Sequence, residues 1–297
     1  MSLYTEQMQA LCDALEAALP QYLPATDTPQ GYAAEAMRYA CLDGGKRLRG
    51  VLTLEFCRVL CGDSVKAMPF AAAIEMVHAY SLVHDDLPCM DNSPLRRGKP
   101  STHAKFGETT ALLAGDGLQC LAFETMLHPD VIAAVGVDRA AAAAGALARA
   151  SGIAGMVGGQ AIDLATEGTV IDLPLLETLQ RKKTGALLEA ACIMGAVIGG
   201  ADDEQQRAAV RYGTLLGRAF QIVDDLLDVL STTEQLGKPT GADAAAGKNT
   251  FVSLLGVEVS RRLAEEHTRG AVEALGCFGK QADGLKQLAE SLLSRLH

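Results

Sequence analysis

The sequence predicts an all-α fold, a single helical domain over residues 1–297. Three observations carry this. Apolar residues recur at helical spacing, as Met8, Leu11, Cys12, Leu15 and Leu19 do near the start. No stretch alternates apolar and polar residues long enough to claim a strand. No linker, low-complexity tract or repeat of about 20–50 residues divides the chain. Helix-on-helix packing of roughly ten or more helices is the expected architecture.

Taken in order, the first helix ends in a loop marked by Pro20, Pro24 and Pro29. A second runs from Gly31 to about Leu42 and stops at the Gly44-Gly45 pair. Lys46, Arg47 and Arg49 open a third, through Leu60. A basic triplet at a helix N-terminus, where unpaired N–H groups point outward, suits an anion such as a diphosphate. An apolar helix over Ala71 to Val83 carries His78 and runs into Asp85 and Asp86, and Pro88 stops it. Asp91, Arg96 and Arg97 follow in the loop. Thr109 to Leu127 reads as a helix holding Asp116, assigned a structural hydrogen bond. Asp130 to Ala150 is Ala-rich and helical by propensity. The glycines of Gly152 to Leu164 suit close packing, with Gln160 and Asp163 as supporting groups. Asp172 and Pro174 start a helix reaching Gly199 through Lys182, Lys183 and Thr184. Asp202 begins the helix that carries Gln221, Asp224, Asp225 and Asp228. Ser231 to Asn249 is a loop with Lys238 and Lys248, and helices over Phe251 to Leu275 and Gln281 to Leu296 close the chain.

Two acid clusters stand out chemically. Asp85 and Asp86 face the negative end of a helix dipole, an unfavourable placement of roughly 0.3–1 kcal/mol each. Asp224 and Asp228, four apart, project from one helix face, where like charges destabilise. A bound divalent cation relieves both. Carboxylates with arginines nearby suggest an anion bridged by Mg²⁺.

D-D-L-P-C-M-D with R-R-G-K, from Asp85 to Lys99, resembles the first aspartate-rich motif of the trans-prenyl diphosphate synthases. D-D-L-L-D, from Asp224 to Asp228, is similar to their second. G-G-K-R-L-R (44–49), K-K-T-G (182–185), F-Q (220–221) and G-K-P (237–239) match in the same order, so the resemblance spans about residues 30 to 255. The pattern is nearest the bacterial type of farnesyl diphosphate synthase. One departure follows Asp91, where Asn92, Ser93 and Pro94 stand in place of the further acids frequent in relatives.

The resemblance implies an orthogonal helical bundle of the isoprenoid synthase type, with its active site in a central cavity. It also implies head-to-tail condensation of isopentenyl diphosphate with dimethylallyl or geranyl diphosphate, giving farnesyl diphosphate. Geranyl or geranylgeranyl diphosphate is the alternative product, and a terpene cyclase or a non-catalytic synthase subunit fits less well. About three Mg²⁺ per site would be held by Asp85, Asp91 and Asp224, supported by Asp86, Asp225 and Asp228. Lys46, Arg49, His78 and Arg97 would hold isopentenyl diphosphate. Arg96, Lys183, Thr184, Gln221 and Lys238 would face the allylic substrate, with Lys183, Thr184 and Gln221 steadying the carbocation. Tyr80 and Ser81, one turn before Asp85, would floor the pocket and limit chain length. A homodimer is the family's usual assembly.

A net charge of −10 argues against a nucleic-acid surface. The eight cysteines lack zinc spacing, and Cys41, Cys57, Cys89 and Cys192 are expected as buried or half-buried free thiols. The longest uncharged apolar run, Ala190 to Ala201, is shorter than the ~20 residues that span a bilayer. No Lys or Arg precedes Arg38, so a signal peptide's positive start is missing, and a cytoplasmic protein is expected.

Overall fold

The structure, a computed structural model, describes residues 5–42, 44–230 and 248–296. Lys238 and most of the predicted loop Ser231 to Asn249 lie outside them. Within the described residues the chain is helical apart from one tiny hairpin.

Helix α1 (Glu6–Tyr22) starts where the Thr5 hydroxyl accepts the Met8 N–H, and it buries the predicted row Met8, Cys12, Leu15 and Leu19. Helix α2 (Gly31–Cys41) is tied to the end of α1 by Arg38, whose Nη1 donates to the Pro20 carbonyl at 3.1 Å. Helix α3 (Leu48–Cys61) and α4 (Met68–Asp85) follow. Most of α4 from Phe70 to Val83 is buried, because α3, α6, α11 and α1 pack around it. A helix apolar on all sides belongs at the centre of a bundle. Each large side chain it buries, such as Phe70 or Ile74, contributes roughly 1.5–3 kcal/mol.

After α4 the loop turns back on itself. The Asp91 N–H donates to the Asp85 carbonyl at 2.9 Å and the Ser93 N–H to that of Asp86 at 3.1 Å. Helix-end carbonyls are thereby satisfied, and Asp91 is held over the end of α4. Strands β1 (Leu95–Arg96) and β2 (Lys99–Pro100) then form a two-residue hairpin. Its turn residues, Arg97 and Gly98, both have positive φ, the geometry that matches strand twist in tight hairpins.

Helices α5 (Thr102–Phe106), α6 (Glu108–Met126), α7 (Pro129–Val135) and α8 (Val137–Ser151) come next. The predicted single helix from Asp130 to Ala150 is broken at Gly136, whose φ of 89° no helix accommodates. Helix α9 (Met156–Ala165) leads to α10 (Leu173–Gln180), capped by Asp172 as expected. A π-helical turn (Arg181–Gly185) joins α10 to α11 (Ala186–Gly199). Helix α12 (Asp203–Leu230) begins where Asp202 and Gln205 exchange side-chain-to-backbone bonds. Beyond the undescribed loop, α13 (Phe251–Leu255), α14 (Val257–Ala274) and α15 (Asp283–Ser294) complete the chain, with a break at Gly256 where one helix was predicted.

One buried apolar cluster draws residues from α1 through α15, centred on edge-to-face contacts of Phe56 with Tyr212 and Phe278. Cys41, Cys57 and Cys192 are buried free thiols as predicted, whereas Cys89, on the loop after α4, is exposed. Asp116 also differs from expectation. Its carboxylate is mostly exposed, and the one contact seen for it is His84 at 3.9 Å. The stretch Val137–Ala165 is apolar and long enough to cross a bilayer, but the chain interrupts it between α8 and α9.

Candidate active site

Two helices, α4 and α9, wall a cavity of about 440 Å³. Arg49, His78, Tyr80, Ser81, Asp85, Lys183 and Thr184, all predicted site residues, line it. The opposite wall is one face of α9, Met156, Val157, Gln160, Ala161 and Leu164, which sequence reading did not assign to substrate. Helical spacing on an apolar segment was its only signal. The lining combines a few charged groups with a mostly apolar surface, which suits a charged head with a hydrocarbon tail.

Lys183 and Thr184 owe their place to the π-helical turn, a distortion often found at functional sites. Gly159 of α9 lies so close that a Cβ there would sit 2.3 Å from the Lys183 backbone nitrogen. The Lys183 ammonium donates to Asp163 at 2.5 Å, which gives Asp163 the supporting role expected of it. Thr184 donates its hydroxyl proton to the Gln221 carbonyl at 3.1 Å, and the Gln221 amide donates to Asp225 at 2.9 Å. This relay turns the Thr184 oxygen lone pairs toward the cavity. Gln221 therefore orients Thr184, and its own carbonyl is engaged.

The acid clusters divide by environment. Asp85 lies at the cavity, and burial pushes its carboxyl above the usual carboxylate range, with Lys183 opposing and Asp91 adding to the rise. Asp91 is exposed on the returning loop. Asp86 is buried and bound through both oxygens by Arg96, at 2.7 and 2.8 Å, so Arg96 serves the acid rather than the cavity. Asp225 accepts from the Gln221 amide with one oxygen and from the Phe251 N–H, at 2.9 Å, with the other. Asp228 is buried, while Asp224 is half-exposed and meets Arg295 at 3.1 Å. Arg295 escaped sequence reading, because its contact spans 71 positions.

Lys46 is held below its ordinary pKa by burial and then by Arg295, with Asp224 opposing, so these three groups converge. His78 is held well below the usual imidazole value by burial and by Arg49, Arg97 and Arg96, and it stays neutral. Arg97 donates to the Gly44 carbonyl and covers Gly45, where any Cβ would strike its guanidinium. Arg47 departs from the predicted triplet. It is buried against Glu16 and Glu75, away from the cavity.

Among the described residues, no three His, Cys, Asp or Glu side chains are gathered around one point. Asp85 and the exposed Asp91, whose N–H is bonded to the Asp85 carbonyl, offer carboxylate oxygens of the kind that Mg²⁺ takes through one or two carboxylates plus substrate phosphates.

Comparisons with known proteins agree with this geometry. The chain is 46% identical over 288 residues to geranylgeranyl pyrophosphate synthase 3, chloroplastic, of Arabidopsis thaliana, covering 95% of this chain and 78% of that protein. It is 45% identical over 273 residues to a chloroplastic geranylfarnesyl diphosphate synthase of Leucosceptrum canum, covering 91% and 73%. Among solved structures, an FPP/GFPP synthase from Zymomonas mobilis superposes with a TM-score of 0.86 at 39% identity, over 97% of each chain. A geranyltransferase from Legionella pneumophila gives 0.83 at 32% identity, over 98% of this chain and 96% of that one. The fold is thus that of the isoprenoid synthases. With the polyprenyl synthetase model matching residues 30–286, nearly the whole bundle that builds the cavity, the chain belongs to the polyprenyl synthetase family.

Proposed function

We propose that this protein condenses isopentenyl diphosphate with an allylic diphosphate, head to tail, and that its main product is farnesyl diphosphate. The observation that carries this reading is the cavity, whose lining brings charged Asp85, Lys183 and Arg49 and neutral His78 together with the apolar face of α9. Asp85, Asp91 and Asp224 would hold Mg²⁺, which when bound supplies charge neutralisation for the departing diphosphate. Lys46, Arg49 and neutral His78 bind isopentenyl diphosphate. Lys183 holds the allylic head, and the Thr184 oxygen faces the developing carbocation as a fixed dipole. The apolar walls exclude water that would quench the cation. The departing diphosphate can take the final proton, and no protein nucleophile is needed.

Support for a fifteen-carbon product comes from Tyr80, which is 5% exposed and packs edge-to-face on His84 in the cavity wall. A second reading is geranylgeranyl diphosphate, favoured by relatives bearing that synthase name. The test is incubation with Mg²⁺, isopentenyl diphosphate and each allylic primer in turn, with products sized by mass spectrometry. Accumulation at fifteen carbons supports the first reading, and accumulation at twenty supports the second. A homodimer is part of the proposal. Exposed Leu112, Leu113 and Ile153 supply apolar surface, and sedimentation at micromolar concentration tests it.

A further inference from the structure

The backbone splits the basic segment that opens α3. Arg47 precedes the helix in the left-handed region, at φ 48° and ψ 30°. A residue with a Cβ enters that region at a cost of about 1–2 kcal/mol. Arg49 lines the cavity and Lys46 lies within electrostatic reach of Asp224 and Arg295, whereas the Arg47 guanidinium is buried and points into the bundle. There it donates from Nε and Nη2 to the two Glu16 oxygens of α1, at 2.7 and 3.2 Å. Nη2 also donates to the Cys41 carbonyl at the end of α2, at 2.8 Å. Nη1 lies 3.6 Å from Glu75 of α4, and Glu75 in turn accepts the Gly50 N–H of α3 at 2.9 Å.

One guanidinium thus joins four elements. Glu75 stands three residues before His78 on α4, and Gly50 follows Arg49 directly. The planar fork of arginine suits such bidentate capture of a carboxylate, which lysine cannot reproduce. Glu16 is half-buried and, among the described residues, is the only partner that takes two hydrogen bonds from the buried guanidinium, so the set of Arg47 in the bundle is sensitive to a change at Glu16. The strain at Arg47 is sustained only while these contacts hold it.

We propose that Arg47 is a positioning residue anchored by Glu16: the pair on the back of the loop fixes Lys46 and Arg49 on its front for isopentenyl diphosphate. The inference rests on the proposed function and adds to it a determinant on α1, outside the cavity. It separates the two substrates, because the allylic head is assigned to Lys183 and Thr184 of the π-helical turn, which the contacts of Arg47 and Glu16 given above do not reach.

The test is steady-state kinetics on the full chain carrying Glu16→Gln, with Lys46→Ala and the double variant alongside. Glu16→Gln is expected to raise KM for isopentenyl diphosphate roughly tenfold, in line with small misplacements acting at a distance. KM for geranyl diphosphate and kcat should stay within about twofold. Glu16→Asp, which keeps the charge, should raise the same constant by less. If Glu16 acts through Lys46, the double variant will raise KM by less than the product of the single effects. An unchanged KM for isopentenyl diphosphate, fully multiplicative effects, or an equal rise in both KM values would overturn the inference. A wild-type protein without condensation activity would instead remove the proposed function itself. Condensation that responds to Lys46→Ala but not to Glu16→Gln would remove this inference alone.

Discussion

Tyr80 is the residue on which product length turns. Its hydroxyl is buried with no hydrogen-bond partner seen, and burial pushes its pKa up to about 12, so it remains a neutral aromatic wall. Tyr80→Ala should deepen the cavity and yield products of twenty carbons or more, while Tyr80→Phe should leave length unchanged. Gas chromatography of the dephosphorylated products reads this directly. A Tyr80→Ala variant that still stops at fifteen carbons places the floor elsewhere. Asp85 gives the second residue-scale expectation. Its carboxylate is disfavoured by burial and by Asp91, so Asp85→Ala should not lower the melting temperature of the metal-free protein. The same change should reduce kcat by orders of magnitude. Turnover near that of the wild type would discard Asp85 as a metal ligand.

At the scale of the element, the contact between α9 and the π-helical turn holds the allylic side of the site together. Gly159→Ala would force a methyl group against the Lys183 backbone, an overpacking that should destabilise the protein by about 1–3 kcal/mol. Geranyl diphosphate should also bind more weakly, with isopentenyl diphosphate little affected. Denaturant melts and calorimetry with each substrate separate the two effects. Equal weakening for both ligands would mean that the turn does not serve one substrate in particular. This contact was not legible in the sequence, which offered glycines suited to close packing but not their partner. Nor were the breaks at Gly136 and Gly256. Both fall inside runs with good helical patterning, and only a positive φ distinguishes them. The predicted helix ends at Asp85 and Asp172 were correct because a proline and a capping carboxylate act locally.

Across the whole molecule, the motifs were legible because residues close in sequence share one loop or helix face. Arg49, His78, Asp85, Lys183 and Thr184 meet at one cavity, as expected. Side-chain direction was less legible. Arg47 turns away through a left-handed backbone, Asp225 is spent on Gln221 and Phe251, and Arg295 arrives from the far end of the chain. The buried charges also set a pH dependence. His78 is neutral in the folded protein, with its pKa lowered by burial and four nearby arginines, while the unfolded chain titrates near the ordinary value of about 6.5. Below that pH the unfolded state binds the extra proton, so stability falls as pH drops through about 6.5 and is fully present above it. His78→Asn should flatten this slope. Melting temperatures of both proteins between about pH 5.5 and 7.5 test it, and parallel curves would exclude His78 as a contributor.

The central claim is that this one cavity couples loss of diphosphate from the allylic substrate to carbon–carbon bond formation. The most direct measurement is the stoichiometry of purified protein given Mg²⁺, geranyl diphosphate and isopentenyl diphosphate, with released diphosphate and prenyl product counted together. Equal amounts of diphosphate and farnesyl diphosphate, dependent on both substrates, are the expected result. Diphosphate released without a longer prenyl chain, or no release at all, would contradict the account.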